Sequence, residues 1–309
     1  MASWLIAALS AYLILAIVSI GDKFLLDKVK LHYKEYAFYS GLFSSLLIIA
    51  IPFIKINFSL GEILLATLSG FLFILAVMYY FKAMNDFDAS QIVPTVNAMI
   101  PICSFVFGYV LSIIFPETFE KFILSGKEIL AFFFLVAGSF FINYQDGKIN
   151  HKSFVPSFVS SSFFAISLLT ANIVYSRGSF IEGFLWIKLG WAIFTLILFS
   201  DKDLRKHVLT KKRQKAINRK QTSLVIVTQL GGGLGGLLQA WAIALVEFSK
   251  VPILNALQGV QYVFLLFFSF ILSKFFPHIL AEDISSKVLV KKMISVILIA
   301  VGLAILTLF

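Results

Sequence analysis

The stretch Thr67–Pro116 reads TLSGFLFILAVMYYFKAMNDFDASQIVPTVNAMIPICSFVFGYVLSIIFP. The stretch Thr228–Pro277 reads TQLGGGLGGLLQAWAIALVEFSKVPILNALQGVQYVFLLFFSFILSKFFP. They follow one pattern at an offset of 161 residues, held without a gap over 50 positions. Thr67 falls on Thr228, Gly70 on Gly231 and Ala83 on Ala244. Asp86-Phe87 falls on Glu247-Phe248, and Phe115-Pro116 on Phe276-Pro277. Each copy is a long apolar helix, a short turn and a second apolar helix studded with amides. Gly, Ala and Phe recur by chance in an oily sequence, but composition does not hold a single offset over such a length. The pattern predicts a duplicated helical membrane unit.

The rest of the chain extends that unit to five helices per copy. Its 309 residues are 60% hydrophobic and 14% charged, with a mean hydropathy of +0.94. Crossing a hydrocarbon layer of about 30 Å takes about 20 apolar residues. Ten runs qualify as candidates: Trp4–Leu26, Tyr36–Phe53, Glu62–Ala83, Ala89–Phe115, Glu128–Asn143, Val155–Tyr175, Gly183–Phe199, Thr222–Val246, Lys250–Phe276 and Lys292–Phe309. None shows the period-2 alternation of barrel strands, so all are read as helices. The first has no basic residue ahead of it and no convincing small-residue cleavage site, and it is kept as a helix. A polar linker, 145–154, separates residues 1–144 from 155–309. An odd-numbered repeat inserts its second copy upside down. The expected fold is therefore an all-α membrane protein, with ten transmembrane helices arranged as two inverted five-helix repeats.

Several chemistries are not expected. The single Cys103 leaves no disulfide within the chain and no cysteine metal cluster, and His32, His151, His207 and His278 lack ligand spacing. No nucleophile elbow, zincin motif or phosphate loop occurs, so neither an enzyme, a metal nor a cofactor is expected. Gly231–Gly236 formally satisfies G-x-G-x-x-G, but it lies in an apolar helix and not between a strand and a helix. Gly231/Gly235 and Gly232/Gly236 read instead as small-xxx-small pairs for close helix approach. The net charge of +10 sits mostly in loops, where it meets anionic lipid headgroups; no nucleic-acid partner is expected.

Polar groups inside the spans are the candidate binding residues for a small-molecule substrate. Asn255, Gln258 and Tyr262 are spaced along one helical face, and at the offset they fall on Pro94, Asn97 and Pro101. Asn97 and Gln258 are thus paired amides, which either line a cavity between the halves or join neighbouring helices by hydrogen bonds. Pro94 and Pro101 free backbone carbonyls and can bend their helix, as a structural kink or as a hinge. Tyr80, with Tyr79, and Trp241 are either interfacial anchors or an aromatic wall over the cavity mouth. Lys188 is the one basic residue well inside a span; it either snorkels to the interface or binds an anion. Lys23 beside Asp22 is read as an ion pair at the rim.

This chain resembles the drug/metabolite transporter superfamily, in its EamA-like branch of ten-helix proteins. The resemblance rests on Ile20-Gly21-Asp22-Lys23, on Asp86-Phe87-Asp88-Ala89-Ser90 leading into a Pro-bearing helix, and on Phe115-Pro116-Glu117. Val136-Ala137-Gly138, answered by Ala300-Val301-Gly302, completes it. It implies a carrier of small polar or amphipathic metabolites in the plasma (inner) membrane, with a central cavity between two five-helix halves. Related four-helix multidrug exporters couple to protons through a glutamate in their first helix. Segment one here has Ser10, Tyr12 and Ser19 and no acid before Asp22, which favours facilitated export or exchange. A second class is a non-transporting scaffold or assembly protein that docks through the basic loop 200–221. Twenty Lys/Arg lie on one side of the predicted topology and five on the other. By the positive-inside rule both termini are then outside, whereas the resemblance implies cytoplasmic termini.

Overall fold

In the computed structural model every regular element among the described residues is helical; these are 3–29, 33–86, 89–116, 124–143, 151–209, 219–275 and 286–308. The long helices are α1 (Ser3–Val29), α2 (Tyr33–Ser45), α3 (Leu60–Asp86), α4 (Ala89–Ile114), α5 (Gly126–Asn143), α6 (His151–Ser176) and α7 (Phe180–Phe199). A short α8 (Lys202–Leu209) follows, then α9 (Arg219–Leu245), α10 (Val251–Ala256), α11 (Gln258–Phe275) and α12 (Ser286–Leu308). Seven helices are long and apolar enough to cross a membrane: α1, α2 with its extension to Phe53, α3, α4, α6, α7 and α9. Apolar side chains cover their outer faces. On α9, Val227, Leu230, Leu234, Leu237 and Trp241 form one exposed stripe at helical spacing. A water-soluble protein does not present such continuous apolar surface, and the chain is a multi-pass membrane protein.

Several boundaries follow from local chemistry. Ser59 and Glu62 form a capping box at the start of α3: the Ser59 amide and hydroxyl both donate to Glu62 Oε2, at 2.7 and 2.8 Å. Ser125 and Glu128 repeat it at the start of α5, at 2.8 and 2.9 Å. Segment two was expected as one helix, but α2 gives way at Leu46 to a 3-10 stretch ending at Phe53. Pro52 lies in that stretch; it has no N–H to donate, and its ring crowds the preceding turn. Segment six starts earlier than expected, because α6 already runs from His151 through Pro156. The basic loop is partly ordered, since α8 buries Leu204 against the ends of α2 and α7. The turn residues Phe87 and Asp88, Glu117, linker residues 145–150, loop residues 210–218 and Phe276-Pro277 lie outside the described residues.

Three antiparallel pairs build the bundle: α1 with α9, α3 with α6, and α5 with α12. Small residues set each approach. Ser69 and Ser167 exchange hydrogen bonds with each other's carbonyls across α3 and α6, at 2.9 and 2.8 Å. Gly231 and Gly235 of α9 face Val18 and Leu15 of α1. Gly138 of α5 meets Ile299, and Gly302 of α12 meets Leu135. In addition α4 packs on α6 and on α10, α11 on α1, and α7 on both α2 and α3. The α3–α7 contact is backbone to backbone: a Cβ on Gly70 would lie 1.8 Å from the Ile187 carbonyl oxygen, and one on Gly190 2.0 Å from that of Thr67.

Candidate functional site

The chain of segment nine is interrupted at Leu257, between α10 and α11, and no proline stands at the break. Its cause is a side chain from another helix. In an unbroken α-helix the Leu254 carbonyl would accept the Gln258 amide. Here the buried Tyr12 hydroxyl of α1 donates to that carbonyl at 2.9 Å, with the Gln239 side chain of α9 close beside it. Insertion of a side chain into the helical ladder is a recognised source of kinks. In α4 the Ser161 hydroxyl of α6 reaches the Val96 carbonyl at 3.2 Å.

The break carries the amides picked out from the sequence. Asn255 is fully buried and its Nδ2 donates to Ser104 Oγ of α4 at 2.8 Å. Gln258 is 7% exposed, and Tyr262 is also buried. Asn255 Oδ1 and Gln258 Oε1 are buried with no hydrogen-bond partner. Each such oxygen costs about 1–3 kcal/mol, which a donor group on a ligand would recover. Asn97 is half-buried on α4, and Pro101, one turn later, has no N–H to offer the Asn97 carbonyl. Neither Pro94 nor Pro101 interrupts α4, which runs unbroken from Ala89 to Ile114; the Pro94 ring lies outside the described side chains. Gln261 adds a donor bond to Ser19 Oγ at 3.0 Å, tying α11 to α1.

Two expected residues behave differently. Trp241 belongs to the outer stripe of α9: it is 43% exposed and packs edge-on against Phe180, with ring centroids 4.8 Å apart. It therefore stands apart from the buried amides and not among them. Lys188 does not snorkel. It is 9% exposed, with its ammonium 4.1 Å from the centroid of the Trp191 ring and 4.7 Å from that of Phe184. Phe73 of α3 stacks on Trp191, and Phe164 of α6 meets Phe73 edge-on, so this cage sits where α3, α6 and α7 join. The indole nitrogens of Trp186 and Trp191 are buried without an acceptor.

Polar ties at the two ends of the α2–α7 pair have no signature in the sequence. At one end Glu182, 1% exposed, accepts the backbone amides of Asn57 and Phe58, both at 2.8 Å. Its other oxygen is buried with no partner. At the opposite end Lys34 pairs with Asp201, whose carboxyl also accepts the amides of Asp203 and Leu204 at the start of α8. The hydrogen bond from Lys34 is the main cause that holds the Asp201 carboxyl below the usual carboxylate range. Near that same end Asp22 accepts a hydrogen bond from Tyr36 of α2, with half-buried Tyr80 of α3 packed against Phe81 nearby. The expected partner of Asp22, Lys23, has a side chain outside the described ones. At the Glu182 end Lys250 lies 3.7 Å from Glu128, joining the start of α10 to that of α5.

No family model matches this chain, and no curated protein matches it. A solved structure, described only as the crystal structure of a protein, is similar over 98% of this chain and 94% of its own length, with a TM-score of 0.61. The two are 14% identical, so the likeness is one of fold alone.

Proposed function

We propose that this protein is a carrier for a small metabolite, working by alternating access between two inverted five-helix halves, as its resemblance to the EamA-like branch of the drug/metabolite transporters implies. The observation that carries the reading is the broken segment nine. A discontinuous helix exposing unpaired polar groups at membrane depth is how secondary transporters build substrate sites. Asn255 Oδ1 and Gln258 Oε1 are two such groups, aimed into protein and not into lipid. Their chemistry suits a substrate that donates hydrogen bonds.

Supporting the inverted arrangement, contacts between the halves come in pairs with the roles of the two halves exchanged. The α3–α6 pair is answered by α9–α1, and Ser161 on the Val96 carbonyl by Tyr12 on that of Leu254. Ten crossings follow if α5, the α10–α11 unit and α12 span the bilayer with the seven long helices. The charge balance puts the termini outside the plasma membrane. A periplasm-active reporter fused to Phe309 should be active; silence there reverses the orientation. The binding reading is tested by substituting Asn97→Ala and Gln258→Ala together. Flux in reconstituted vesicles should fall while the yield of folded protein is kept; unchanged flux removes these residues from the site. Deleting 210–218 should leave flux intact, and loss of function with flux preserved would favour the scaffold.

A further inference from the structure

Lys188 has a donor surplus that the fold does not answer. It is the ninth residue of α7, so about 12 Å of helix rise separates it from that helix's start. That puts it near the middle of a 20-residue helix. No carboxylate among the described residues pairs with it, and its ammonium is held only against the faces of Phe184 and Trp191. Ring faces do attract a cation, but they accept none of its three N–H bonds in the way an anion would. The Trp191 ring beneath it holds a buried donor, the Nε1–H, which lacks an acceptor. Two unanswered donors on one ring system, walled by Phe73 and Phe164, mark a place for negative charge attached to an apolar body.

We propose that Lys188 and Trp191 form an anion-recognition site, so that the transported substrate is a small aromatic or apolar molecule bearing a carboxylate or another anionic group. The ammonium supplies the charge, the indole N–H fixes one oxygen, and the rings of Phe184, Trp191 and Phe73 receive the apolar part. Charge-assisted hydrogen bonds in a dry setting are the strong ones, which makes the pair selective against a neutral analogue of the same shape. A headgroup phosphate shares the chemistry, but it resides at the interface and Lys188 does not. This substrate class rests on the carrier reading, whereas the anion site itself does not.

The test uses the purified full chain in neutral detergent, with thermal unfolding followed in benzoate, succinate, inorganic phosphate and the neutral control benzamide. A ligand that prefers the folded state raises Tm by mass action. Benzoate should raise Tm and benzamide should not. Lys188→Gln should weaken the apparent benzoate affinity by about tenfold or more, while Lys188→Arg keeps part of it. Should Lys188→Gln fail to fold, Trp191→Phe keeps an aromatic face, loses the pyrrole ring with its N–H and should also weaken benzoate binding. The proposal is overturned if no anion of the set stabilises the protein, if benzamide matches benzoate, or if the variants keep the full shift. A shift given by phosphatidylglycerol micelles but by no free anion overturns it in favour of a lipid site. Vesicle counterflow separates the two readings. Anion binding without flux sinks the carrier and leaves the site; flux of a neutral metabolite untouched by Lys188→Gln does the reverse.

Discussion

At Gly190 a hydrogen atom is all the space that α3 leaves. The Cβ of an alanine would sit 2.0 Å from the Thr67 carbonyl oxygen and 2.5 Å from the Phe71 amide nitrogen, and neither backbone can step aside alone. Gly190→Ala should therefore destabilise the protein by about 1–3 kcal/mol or more, read as a lower Tm and a poorer folded yield. Gly233 is the control, because nothing lies within 4 Å of the place a methyl group would take there. Gly233→Ala should be neutral or stabilise by about 0.5–1 kcal/mol through helix propensity. Equal effects at the two positions would mean that α3 and α7 are not in backbone contact. Tyr12→Phe addresses the break in segment nine. Without the hydroxyl, the Leu254 carbonyl is free for the Gln258 amide. Hydrogen exchange at that amide should slow, and faster exchange would argue against insertion as the cause.

Among the elements, the pattern of apolar runs was legible because length and hydropathy alone decide it. The seven long spans lie where those runs predicted them. The capping boxes at Ser59 and Ser125 are written locally too, as S-x-x-E ahead of an apolar run. The break at Leu257 had no local signature, since it comes from Tyr12, more than 240 residues away in sequence. The offset of 161 also misleads by one residue in the third span. Ser69 faces α6, yet its counterpart Leu230 faces outward, and it is Gly231 that meets α1. Identity fixes sequence register, while a one-residue slip turns a helical face by about 100°. The burial of Lys188 was not readable either, because hydropathy treats a lysine alike whether it snorkels or is caged. At α8 the Asp201 carboxylate, depressed by Lys34, ties the short helix down. That contribution is complete at neutral pH, above the ordinary carboxylate value near 4, and fades only as pH falls through the lower folded value. Exchange at α8 amides should rise only in that acid range. Asp201→Asn should raise it already at neutral pH; no change in the variant would uncouple α8 from the ion pair.

For the molecule as a whole, the ties at both ends of α2 and α7 coexist in a single structure. Glu182 holds the 57–58 amides on one side of the bilayer while Lys34 holds Asp201 on the other. Between them, nearer the Lys34 end, the position of a Cβ on Gly41 is 3.4 Å from Cβ of Thr195, close to the roughly 3.5–4.5 Å of a disulfide. Two helices riveted top and bottom behave as a post, around which the halves of the proposed carrier would pivot. A Gly41→Cys/Thr195→Cys bridge, made with Cys103→Ser, should then leave turnover intact in either redox state. Stalling on oxidation and recovery on reduction would show instead that the post itself splits during each cycle.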